Sequence, residues 1–113
     1  MKEVKALMSA VTKKLSETGE YNQYHILLER VKAQPELYRR IGEFKRRNMA
    51  LQLSEQASSV HANNELQKEF RDLQSNGLAN DFLAAEHQYC ALVRELQDQF
   101  LENVDVETDF LEE

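Results

Sequence analysis

A chain of 113 residues with three Gly, one Pro, one Cys and no Trp has the size of one small domain and too few breakers for the tight turns of an all-β fold. The single cysteine, Cys90, excludes an intrachain disulfide and fits a reducing compartment. The net charge of −6 divides unevenly, +4 over residues 1–56 and −10 over residues 57–113, which argues against a general nucleic-acid-binding surface and leaves two readings, two simply solvated faces or head-to-tail or heteromeric pairing.

Val4, Leu7, Met8, Val11 and Leu15 recur at spacings of three and four and predict a first amphipathic helix, stopped near Gly19. The opening MKEVKALMSAVTKK has no long apolar run and no small-residue cleavage site, so no signal peptide is expected. No stretch approaches the roughly 18 consecutive apolar residues of a membrane span. A cytoplasmic protein is the expectation. A second helix is predicted from about Glu20 to Lys32, with Tyr24, Leu27, Leu28 and Val31 on one side.

Pro35 suits the first turn of a third helix, where its missing N–H costs nothing, and Glu36 adjoins the positive end of the helix dipole. This helix should reach Leu53, about 28 Å at 1.5 Å per residue. The polar stretch Ser54 to Asn64 fits either a loop or a continuation. Leu66, Phe70 and Leu73 define a short helix, and Asn76-Gly77 reads as its stop. A last helix is predicted from about Leu78 to Leu101. Glu102 to Glu113 holds six acids and no base and reads as a frayed tail. The expected architecture is all-α, about five helices. The two long ones form an antiparallel, bundle-like domain over residues 1–101, followed by the acidic tail 102–113. A chain this short buries a modest share of its surface, and dimerisation is a common remedy.

On the third helix Leu37, Ile41, Phe44, Asn48 and Leu51 fall within an arc of about 80°, a narrow coiled-coil-like seam. Tyr38, Gly42, Met49 and Leu53 form a second edge, which must be buried against something other than the first edge's neighbour. Gly42 costs about 1 kcal/mol relative to Ala in a helix interior, and close approach of another helix would compensate. Arg39, Arg40, Arg46 and Arg47 crowd the remaining side around Glu43. They offer a basic strip for an acidic partner, or a solvated face paired with Glu36 and Glu43. On the last helix Phe82, Leu83, Ala85, Tyr89, Cys90, Leu92, Val93, Leu96 and Phe100 cover nearly half the circumference, as in a helix with several neighbours. Glu86 sits near the middle of that arc. Asn48 and Glu86 are thus polar residues on apolar faces, and they either set helix register within the fold or across a dimer or lie at the rim and reach water. The expected interface comprises Leu37, Ile41, Phe44, Asn48, Leu51, Phe82, Glu86, Tyr89 and Leu92.

The runs PELYRRIGEFKRRNMALQ and NDFLAAEHQYCALVRELQDQ resemble the YlbF/YmcA (Com_YlbF) family of small helical bacterial regulators. The likeness extends from the first helix to about Phe100. It is carried chiefly by Pro35, Glu36, Leu37 and Phe44 and by Phe82-Leu83-Ala84-Ala85-Glu86. The resemblance implies a dimer-forming, non-enzymatic protein of Firmicutes-type bacteria, paired with itself or with a paralogue. It also implies a larger complex with a further partner, YaaT, that is linked to competence, sporulation and biofilm formation and guides RNase Y in mRNA processing. That complex is associated with iron–sulfur clusters. Other branches of the family have no assigned role.

No catalytic constellation accompanies these helices, and no cofactor is expected from the chain alone. A [4Fe–4S] cluster usually takes four cysteines, which one chain or its dimer cannot supply. Cys90 lies on an apolar arc, and a structural, buried thiol is the expectation. Glu86, His87 and Cys90 share one helical turn, but there is no HExxH and no second ligand pair for a metal. His25 and His61 read as isolated surface residues. Ser58-Ser59 has no Gly-rich elbow and no base. Direct RNA binding is the alternative function, although RNA recognition usually adds exposed aromatics that stack bases and only Tyr38 lies near the arginines.

Overall fold

The structure, a computed structural model, describes residues 1–104. Among them are six helices: α1 (Lys2–Leu15), α2 (Gly19–Lys32), α3 (Pro35–Gln52), α4 (Val60–Glu69), α5 (Arg71–Gln74) and α6 (Gly77–Glu102). There is no strand among the described residues. The acidic tail expected after the last helix lies, past Val104, outside them. No described helix is long and apolar enough to cross a membrane.

Two glycines that read as helix stops are helix starts. Thr18 caps α2, its Oγ1 accepting the Tyr21 N–H at 3.2 Å, and Asn76 caps α6, its Oδ1 accepting the Ala79 N–H at 2.9 Å. Gly19 and Gly77 are the first residues inside these helices, and no described glycine has a positive φ. A side chain that satisfies an orphan N–H therefore decides each boundary. Ser54–Ser59 forms turns, and Ser59 caps α4 through the Ala62 N–H. The helix expected across Leu66, Phe70 and Leu73 divides in two. At Phe70 the backbone leaves the helical region (φ −107°, ψ 27°) while the ring, 1% exposed, enters the core.

The principal packing is α2 against α6. Tyr21 lies on Tyr89 with ring centroids 5.7 Å apart, and Tyr24 stacks on Phe82 at 5.8 Å, so the pair is antiparallel. Helix α3 packs on α2 and α4, and α5 closes the start of α6. The core is small: Leu27 and Val31 of α2, Ile41 of α3, Leu66, Phe70, Leu73, and Ala79, Phe82 and Ala85 of α6. Its α6 members all lie within the first half of that helix.

Two segments stand outside this body. Helix α1 buries no residue, and Val4, Leu7, Met8 and Val11 are exposed. Every described residue after Leu92 is exposed too, although α6 runs on to Glu102. The last helix is therefore flanked by neighbours only over its first part, and its apolar arc from Val93 to Phe100 is uncovered. The radius of gyration is 18.3 Å, with extents of 48 × 41 × 17 Å, whereas a packed domain of this size has roughly 13 Å.

Candidate interaction surface

The two projecting segments leave the body at the same end. A three-residue link, Ser16 to Thr18, joins α1 to α2, and the first turn of α2 rests on Tyr89. Tyr21, Tyr24, His25 and Tyr89 form one aromatic cluster there, with His25 4.1 Å from Tyr21, 5.1 Å from Tyr24 and 6.3 Å from Tyr89. His25 is therefore half-buried among rings, not an isolated surface residue; His61 is exposed. The spacing of Tyr21, Tyr24 and His25 by three and four residues places them on one face of α2, a signal that identifies the cluster once Tyr89 is set opposite. The Tyr24 hydroxyl is pushed above its ordinary pKa, first by burial and then by the Glu86 carboxylate.

The seam of α3 faces the chain's own core. Ile41 is 2% exposed and Phe82 4%, and Leu37, Phe44 and Leu51 pack half-buried against the core. As folded, Ile41 and Phe82 are not open to a second molecule, because α2, α4 and α6 already cover them. Tyr89 and Leu92 are half-buried at the edge where α6 leaves the body. Asn48 and Glu86 do meet in one place. Both line an open groove of about 530 Å³ between α3 and α6, together with Phe44, Met49, Leu83 and Cys90. Their partners are nevertheless separate: Lys45 Nζ donates to Glu86 Oε2 at 2.5 Å, while Asn48 Oδ1 accepts only a long bond, 3.4 Å, from Gln52.

Cys90 is exposed, which corrects its expected burial. The arc that carries it faces the groove and not a helix. Among the described residues no three His, Cys, Asp or Glu side chains come together so as to hold a metal ion. Gly42 also departs from expectation. A Cβ built there would meet only Arg46 Nη1 of its own helix, at 3.3 Å, so no second helix approaches it.

The arginines divide into two pairs. Arg39 is exposed and reaches Glu36 and Glu43 along its own helix, as the solvated-face reading has it, and Arg46 makes no ion pair among the described residues. Arg40 and Arg47 instead tie α3 to α4 and α5. The Arg40 guanidinium donates to both carboxylate oxygens of Asp72 at 3.1 Å, to Glu43 at 2.8 Å and to the Glu69 carbonyl at 2.7 Å, and it lies 4.1 Å from the Phe70 ring centroid. Arg47 makes a two-pronged pair with Glu69, at 2.7 and 2.6 Å. Asp72, held by Arg40, and Glu69, held by Arg47, have their pKa values lowered, and both arginines have theirs raised. The charge imbalance between the two halves of the chain is thus partly neutralised inside the fold.

A family model described as "Control of competence regulator ComK, YlbF/YmcA" matches residues 4–105. The chain belongs to the YlbF/YmcA family. No curated protein matches it, and no solved structure does. The match runs across α1 and the end of α6, so the segments that bury nothing in the single chain lie within the family domain. A family named for control of a competence regulator supports a regulatory role for the chain.

Proposed function

We propose that this chain is a non-enzymatic helical adaptor that acts through protein–protein contacts in the cytoplasm, as a homodimer or paired with a paralogue. The regulation it serves is of the kind its family resemblance implies: modulation of RNase Y-dependent mRNA processing within a larger regulatory complex. One observation carries the reading. Apolar stripes on α1 and on the end of α6 stand uncovered on a domain that its family match spans almost completely. Exposed apolar surface of this extent marks contact with another macromolecule.

The partner-facing charge in this account is Arg39 and Arg46, since Arg40 and Arg47 are engaged by Asp72 and Glu69. That engagement also removes half of the cationic strip that direct RNA binding would use. The test is complementation in the native host. Deleting the gene should alter the processing of transcripts cut by RNase Y, and the wild-type chain should restore it. Arg39→Glu with Arg46→Glu should accumulate as folded protein and fail to restore it. Normal processing in the deletion strain overturns the regulatory assignment.

A further inference from the structure

The two stripes share one geometry, each running from a half-buried residue at the body, Leu15 or Tyr89, out to exposed ones. On α1, Val4, Met8, Val11 and Leu15 repeat at steps of four, three and four; on α6, Tyr89, Val93, Leu96 and Phe100 repeat at the same steps. Each is a four-position seam of the coiled-coil type. The wheel adds Leu7 beside the first. Leu7 is 68% exposed and Phe100 55%. Over the seven most exposed apolar residues of the two stripes, the open surface is on the order of 650 Å² per chain, toward the lower end of what each partner buries in a stable interface.

The charges are opposite. Helix α1 carries Lys2, Lys5, Lys13 and Lys14 against Glu3, while the end of α6 carries Glu95, Asp98 and Glu102 against Arg94. The seams themselves are apolar, and the opposite net charges of the two segments favour α1 against the end of α6 over either segment against itself. Both leave the body at the Tyr21–Tyr89 end.

We infer that a second copy of this chain occupies these stripes, with α1 of each copy lying along residues 89–100 of the other. A two-fold axis relates the two contacts, so one closed pair uses up all four seams. The inference rests on the adaptor reading and specifies how its dimer forms. The acids of α6 sit on the side away from the seam, where salt screens them, so the apolar seam holds the pair and salt weakens it only modestly.

The test uses the full chain. Light scattering should give the two-chain mass, and Met8→Glu or Leu96→Glu, each with an unchanged circular dichroism spectrum, should weaken association more than tenfold. In a Cys90→Ser background, mild oxidation of a mixture of Met8→Cys and Leu96→Cys chains should cross-link one type to the other. A single-chain mass at all concentrations overturns the inference, because the stripes would then be covered within one chain or by a different protein. A dimer that cross-links only Met8→Cys to itself, or not at all, overturns it equally. A monomer that restores transcript processing defeats the arm contact and leaves the adaptor reading standing. A dimer with these cross-links that has no effect on transcripts does the reverse.

Discussion

The body and the arms of this molecule are written in the same code and end differently. Leu27 and Val31 of α2 and Val4, Met8 and Val11 of α1 all recur at helical spacing, yet the first pair is buried and the second set lies open. Spacing says that a helix has a side to hide. It does not say which molecule hides it. The difference between the two regions lies in tertiary partners: α2 has α6 and α3, whereas the arms have no helix of their own chain packed along them.

That contrast should break most sharply at Phe70. Its ring fills the core, meets Phe44 with centroids 5.3 Å apart and carries Arg40 on its face. Phe70→Ala should cost about 3–5 kcal/mol, a large share of the whole stability of a small domain. Leu7→Ala, measured by urea unfolding at concentrations too low for association, should stay within about 0.5 kcal/mol. Equal losses would mean that α1 belongs to the body.

Acid separates the regions next. Asp72 and Glu69 have lowered pKa values in the folded chain. The stability they contribute is present above the ordinary carboxylate values of about 3.9 and 4.3 and disappears as pH falls through the lowered folded values. Thermal midpoints should therefore drop on acidification below about pH 4, and less steeply in Arg40→Met, which no longer holds Asp72. The arms have no ion pair to the body among the described residues, so Lys5→Met should leave this acid limb unchanged. The smallest effect falls at Gly42. With only the flexible end of Arg46 nearby, Gly42→Ala should stabilise α3 by up to about 1 kcal/mol. Destabilisation in the dimer alone would show that a second molecule approaches there.

The sequence carried the helices further than their surroundings. Pro35 marked the start of α3 to the residue, because proline has one comfortable place in a helix. Gly19 and Gly77 misled, because glycine is compatible with either end and the deciding feature is the hydrogen bond made by Thr18 or Asn76. Nothing in the spacing of Ile41 and Phe82 distinguishes a residue in the chain's own core from one at an interface. Cys90 looked buried for the same reason, since an apolar arc does not reveal that a groove lies beside it. The links from Arg40 to Asp72 and from Arg47 to Glu69 join residues 32 and 22 positions apart, beyond the reach of any local pattern.

Hydrogen exchange against protein concentration tests the central claim most directly. If a second copy covers the arms, amides in residues 2–15 and 93–102 gain protection together as concentration passes through the association range. Those of the Leu27–Val31 and Ala79–Ala85 core should not change. Exchange in α1 and the end of α6 that is independent of concentration, or protection of one without the other, would contradict it.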